Sequence, residues 1–173
     1  MNNQIIIKRA SPIDFENIRN LMLTGLKDDP KAFSVDFEEY SQNSKEWWNS
    51  YISPYIFSLK DKMFLAFDNE KPVGMIGVLY DYKNRRSHIA TIVWFYILKE
   101  YRGYGTGIAL LKTAIEDIKT NGMKKITLFV NSKQEAAISM YKKNGFVQNG
   151  KLSNELLIDN EFVDTLIFEM ELN

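Results

Sequence analysis

The residues best placed to do chemistry are Arg102, Gly103, Tyr104, Gly105, Thr106, Gly107 and Ile108. Alternating glycines let a backbone turn tightly and approach a ligand with no Cβ in the way. After them Ile108, Leu111, Ile115 and Ile118 recur at helical spacing, with Lys112, Glu116 and Asp117 on the other side. The turn therefore opens a helix, whose first N–H groups lack intrahelical partners and carry the positive end of its dipole. Arg102 adds a formal charge at the same mouth. Together these features describe an anion site suited to a phosphate or pyrophosphate. A dinucleotide turn would run Gly-x-Gly-x-x-Gly, and a P-loop would end Gly-Lys-Ser/Thr, so neither fits. A tight connection without any ligand is the competing reading of the same residues.

The elements around the turn can be read from pattern. Residues 89–98 form an apolar run, β-branched and aromatic, that predicts a buried strand leading into the turn. The helix after the turn should run to about Thr120, with Asn121 and Gly122 ending it. Residues 125–130 predict another core strand. The next helix carries Ala136, Ala137, Met140 and Tyr141 on a small, close-packing face and stops at Asn144 and Gly145. Residues 147–151 and 161–169 predict the closing antiparallel strands.

Upstream, residues 4–9 suit a first strand, and Ser11 followed by Pro12 suits a helix start. That helix should stop near Asp28, Asp29 and Pro30, because the residue before a proline avoids helical dihedrals. Residues 31–54 are rich in aromatics and acids, with Ser44 placed to cap a short helix. Aromatics beside carboxylates suit a cationic amine, or else pack over the sheet edge. Residues 57–67 and 71–82 predict two antiparallel strands joined by a turn. Gly74 and Gly77 inside the second suggest a bulge or close packing. His88, at a strand edge, reads as structural.

The chain has 173 residues, 45% of them hydrophobic, and is expected to form a single domain over residues 1–173. Basic and acidic residues both total 22, so charge gives no sign of nucleic-acid or membrane partners. The absence of cysteine excludes disulfides, thiolate metal sites and an acyl-cysteine intermediate, and the one histidine argues against structural zinc. No metal site is expected. With no signal peptide in the opening residues and no apolar run of about 18 residues, a cytoplasmic location is expected.

Two motifs carry a family resemblance. Arg-x-x-Gly-x-Gly, as Arg102, Gly105 and Gly107, resembles the acetyl-CoA signature of the GCN5-related N-acetyltransferases. Ala-x-x-x-Tyr-x-x-x-Gly-Phe, as Ala137, Tyr141, Gly145 and Phe146, looks like that family's second motif. The segment from Asp29 to Phe33, then Phe37 and Trp47, resembles the amino-terminal part of one bacterial branch. The resemblance implies an α/β (α+β) fold, a mixed and mostly antiparallel sheet of about seven strands flanked by about four helices.

It further implies acetyl-CoA as cosubstrate and transfer of acetyl to a primary amine by direct attack. The backbone of Phe95, Tyr96 and Ile97 would hold the pantetheine and thioester. The amides from Gly103 through Tyr104, Gly105, Thr106 and Gly107 to Ile108 would take the pyrophosphate, with Arg102 assisting and Gln134 as a further CoA contact. Tyr141 would protonate the departing thiolate, for which a phenol with a pKa near 10 is suited. Some members carry a glutamate on the central strand where this chain has Thr91, so the general base would be a water chain or a carboxylate from residues 36–46. The acceptor expected is a small-molecule amine such as a polyamine, an amino acid or an aminoglycoside-like compound. A peptide amine, a non-catalytic acetyl-CoA sensor and a nucleotide-binding protein remain as alternatives, and the resemblance leaves a homodimer open.

Overall fold

The central strand is β4, Ile89–Ile97, and the computed structural model, which describes residues 5–172, is arranged about it. The other strands are β1 Ile5–Arg9, β2 Lys62–Asp68, β3 Lys71–Tyr80, β5 Lys125–Asn131, β6 Val147–Ile158 and β7 Glu161–Glu171. They form one seven-stranded sheet in the order β1-β2-β3-β4-β5-β7-β6. Every pairing is antiparallel except β4 with β5, which is parallel. Gln4, expected to begin β1, lies outside the described residues.

Five helices cover the two faces: α1 Phe15–Asp28, α2 Phe37–Ser41, α3 Lys45–Phe57, α4 Thr106–Thr120 and α5 Glu135–Lys143. Burial on both faces of β2 shows how they divide. Met63, Leu65 and Phe67 pack with Ile18, Met22 and Leu26 of α1 and Trp48 and Ile52 of α3. The alternate residues Phe64 and Ala66 pack on the other face with Leu110, Leu111 and Ala114 of α4. Period-two alternation thus feeds two cores from one strand. Lys62, at the start of β2, is itself buried and donates to Asp117 of α4 at 2.7 Å, fixing the helix to the strand.

Several elements differ from the sequence expectation, among them β3, which ends at Tyr80 and not at residue 82. Residues 57–61 are not strand: α3 continues to Phe57 even though it contains Pro54, and β2 begins only at Lys62. Trp48, Ile52, Tyr55 and Ile56 fall on one helical face and are buried there, which outweighs the β-like look of the run. The short helix α2 is an addition, started by Asp36, whose carboxylate accepts from the Glu39 N–H at 2.7 Å. Strand β6 runs past residue 151 to Ile158, and the two-residue turn at Asp159 and Asn160, both with positive φ, reverses it into β7.

Two local features open the sheet. Strands β4 and β5 pair only from Ile89↔Lys125 to Ile92↔Leu128, after which no pairing joins them. Beyond that point β4 stays with β3 as far as Ile97, and β5 stays with β7 as far as Asn131. The second feature is a bulge. Val93 pairs with Gly77 and Tyr96 with Met75, so Trp94 and Phe95 together face the single residue Ile76. Trp94 sits at φ 49°, a left-handed conformation that bulky side chains rarely adopt.

Close packing at Gly74 protects this arrangement, as the sequence suggested. A Cβ there would come within 2.5 Å of Ile97 Cδ1 and 3.1 Å of the Tyr96 carbonyl oxygen. Gly74→Ala should therefore cost about 1–3 kcal/mol, read as a lower urea midpoint with an unchanged slope. An unchanged midpoint would mean that β4 can move away from β3 freely.

Candidate active site

Where β4 and β5 diverge, a cleft of about 870 Å³ opens between them. On the β4 side it is lined by Phe95, Tyr96 and Ile97. The Leu98 N–H bonds the Val73 carbonyl at 2.9 Å, so strand alternation turns the backbone groups of Ile97 and Phe95 to the open side. On the far side lie Val130 and Asn131 of β5, and α5 contributes Gln134 from its N-cap position together with Ala137, Met140 and Tyr141.

The glycine turn forms one end. Gly103 and Gly105 have φ of 82° and 88°, where side chains with a Cβ are strained. Gly105 starts α4, and its carbonyl accepts the Ala109 N–H at 3.0 Å. The N–H groups of Thr106, Gly107 and Ile108 are then the first of the helix, without intrahelical acceptors. Gly103, Gly105, Gly107 and Ile108 line the cleft. Tyr104 is 84% exposed outside it, whereas Thr106 is 2% exposed and its Oγ1 has no hydrogen-bond partner among the described residues.

Arg102 is held more firmly than its sequence position suggests. Its Nε donates to the Ile97 carbonyl at 2.9 Å, and Nη2 donates to the Asp29 carboxylate. The guanidinium also lies 5.5 Å from the Tyr96 ring centroid. Asp29 follows α1, so this pair ties the α1–α2 connection to the turn. The same connection reaches the β5 side, where Asn131 Nδ2 donates to the Lys31 carbonyl at 2.6 Å. It also reaches the β6–β7 turn, through Lys31 and Asp159 at 3.1 Å. Sequence reading marked Asp29 only as a helix stop and part of a family-like segment, and not its bond to Arg102, since the partners are 73 positions apart.

Tyr141 is 6% exposed, and its ring sits 6.3 Å from Phe95, 5.8 Å from Phe146 and 6.3 Å from Phe168. Burial raises its hydroxyl above the ordinary tyrosine value, so it stays protonated through the neutral range. A neutral phenol in an apolar wall can give a proton to a developing anion.

The wall beside α1, α2 and α3 is aromatic, with Phe33, Tyr40, Tyr51 and Trp94 lining the cleft. The Trp94 Nε1–H donates to the Tyr51 hydroxyl at 3.0 Å, and Phe33 lies 5.4 Å from the Trp94 ring, which braces the strained bulge. None of Asp36, Glu38, Glu39 and Glu46 lines the cleft, so the carboxylate expected from residues 36–46 is not in this wall. Thr91 sits on the paired half of β4 and does not line it either. His88 is exposed, and its carbonyl accepts from Lys124 and Lys125. The charged residues lining the cleft are Asp29, Arg102 and Glu155, the last of which sequence reading missed.

Comparison with known proteins bears on the family and the fold. The model of the acetyltransferase (GNAT) family matches residues 23–146. The chain belongs to the acetyltransferase (GNAT) family. It is 30% identical over 112 residues to an uncharacterized N-acetyltransferase of Methanocaldococcus jannaschii, covering 64% of this chain and 50% of that one. The chain thus spans about half the length of that relative. It is 28% identical to N-alpha-acetyltransferase 30 of Schizosaccharomyces pombe, covering 62% of this chain and 72% of that one. To spermidine N(1)-acetyltransferase of Vibrio cholerae it is 25% identical, covering 95% and 91% respectively. A GNAT-family acetyltransferase from Streptococcus pneumoniae superposes with TM-score 0.85 at 27% identity, covering 98% of this chain and all of that one. Among the described residues, no helix is long and apolar enough to cross a membrane.

The turn fits the cosubstrate on this chain's own geometry. A Cβ on Gly107 would lie 3.7 Å from Ile97 Cγ1, Met140 Sδ and Phe95 Cζ, all ordinary contacts, so the fold itself has room for one. Gly107→Ala should therefore melt within a few degrees of wild type without ligand, yet lose most of the stabilisation that acetyl-CoA confers. Equal ligand-induced shifts in both proteins would mean that no ligand backbone or phosphate approaches Gly107.

Proposed function

We propose that this protein moves acetyl from acetyl-CoA to the primary amine of a small molecule by direct attack. The observation that carries the reading is the wedge between β4 and β5, with a helix N-terminus at one end and the buried Tyr141 in its wall. The outward amides of Phe95 and Ile97 would align the pantetheine, and those of residues 106–108 would receive the pyrophosphate. In this role Arg102 shapes the turn through Ile97 and Asp29 and does not serve as a free anion clamp. The reaction balances simply. The amine nitrogen forms a bond to the acetyl carbon, the C–S bond breaks, and the thiolate takes a proton from the Tyr141 hydroxyl. The amine releases its proton to water, from which Tyr141 is reprotonated. The chain has no cysteine to carry an acyl group.

A small acceptor is favoured by the α1–α2 connection, which is bonded to both limbs of the wedge through Asp29 and the Lys31 carbonyl and leaves less room for an extended chain. The Vibrio relative, similar over nearly the whole chain, is named for a polyamine. The N-alpha-acetyltransferase among the relatives makes a peptide amine the second reading.

Tyr141→Phe tests the assignment. It should lower kcat by about a hundredfold or more in a thiol-release assay, while acetyl-CoA affinity changes by less than about twofold. A kcat equal to wild type would remove Tyr141 from the chemistry.

A further inference from the structure

The β6–β7 hairpin carries an irregularity at the rim of the cleft. Leu152 pairs with Thr165 and Leu156 with Val163, so Ser153, Asn154 and Glu155 together oppose Asp164. Asn154 adopts φ 55°, and its N–H donates to Asp164 Oδ1 at 2.9 Å. Lys151 Nζ donates to Asp164 Oδ2 at 2.8 Å. The bulge is therefore a held structure, and bulges of this kind re-aim side chains next to active sites. Here it brings Glu155 to the cleft, flanked by Leu152 and Leu156.

The surrounding charges single Glu155 out. Of the five other carboxylates of the hairpin, Asp159, Glu161, Asp164 and Glu169 each pair with a lysine, and Glu171 does not line the cleft. Glu155 has no hydrogen bond or ion pair among the described residues. Within the cleft the one cation, Arg102, is already matched by Asp29. Glu155 is thus an exposed carboxylate with no cation beside it, and the aromatic rings that line the same cleft also favour a cation. In sheet order β6 is separated from β4 by β5 and β7, so Glu155 stands at the rim away from the strand proposed to hold the thioester.

We infer that Glu155 binds a second ammonium group of the acceptor, one remote from the amine that is acetylated. This rests on the cleft being an amine-acceptor site, and it narrows the acceptor to a diamine or polyamine with an apolar stem. The stem would lie along Leu152, Leu156 and the aromatic wall. Glu155 is then a specificity-determining residue, while the reacting amine, which must be neutral to attack, stays clear of it.

The test uses α,ω-diaminoalkanes of increasing length, each beside the n-alkylamine of the same length, with kcat/KM measured by thiol release. The wild-type protein should prefer the diamine by about tenfold or more at one favoured length, the scale of one charge-assisted hydrogen bond. Glu155→Gln should bring that ratio close to one, and Glu155→Asp should recover part of it. A merely structural role would lower both amines together and leave the ratio intact, which overturns the inference. Equal wild-type rates on diamines and monoamines would overturn it too. Acetyl-CoA binding, followed by melting on the same samples, separates the two levels. If acetyl-CoA stabilises the protein but no diamine is acetylated, the substrate class falls and the cosubstrate reading stands. If acetyl-CoA does not stabilise the protein, the underlying reading falls with it.

Discussion

The structure depends on a sheet that stops being a sheet halfway along its central strand. Four residue pairs, ending at Ile92 and Leu128, hold β4 to β5, and the strands then part. A backbone polar group left buried without a partner costs about 1–3 kcal/mol, so such a gap persists only if something else fills it. Near the divergence, Trp94 takes a left-handed conformation that costs on the order of 1–3 kcal/mol. Both costs are offset by packing on the two faces and by the bond from Trp94 to Tyr51. The bulge also changes the phase of the strand. Val93 and Trp94 both face the α1 and α3 side, and Phe95 then turns toward the α4 and α5 side. One irregular dipeptide thereby sets which side chains form the aromatic wall and which face Tyr141.

The cleft that results holds features of both signs. One end carries the N-terminus of the fifteen-residue helix α4, an attractive place for phosphate. The lining also carries Glu155, whereas its one cation, Arg102, is paired with Asp29. The rest of the lining is mostly apolar and aromatic. A thioester with an anionic tail and an amine with a cationic one would each find a matching group in the lining. Arg102 does not add a free cation, because its charge is matched by Asp29 and its Nε is spent on Ile97.

Much of this was legible in the sequence where the signal is local. The glycine alternation at Gly103, Gly105 and Gly107, the helical spacing after it and the stop at Asn121 and Gly122 all depend on neighbours within a turn or two, and all match the fold. So do Ser44 as a helix cap and Gly74 as a close-packing site. What stayed hidden is held by tertiary contacts. Gly77 announced a bulge in β3 and the register does shift there, but that the extra residue lies on β4 at Trp94, braced by Phe33 and Tyr51, had no local signal. The Arg102 to Asp29 bond joins distant segments, and the position of Glu155 depends on a bulge pinned by Asp164. Helix α3 was cut short in reading because an aromatic run with a proline imitates a strand and its boundary.

The most direct measurement is hydrogen exchange at the amides of Phe95 and Ile97, and of residues 106–108, with and without acetyl-CoA. These N–H groups face the open side of β4 or begin α4, so an occupied wedge must protect them. Slowed exchange at both stretches, with little change at Tyr96, whose backbone groups turn toward β3, is the predicted result. If acetyl-CoA raises the melting temperature while these amides exchange at their original rates, the ligand lies elsewhere and the wedge is not the site.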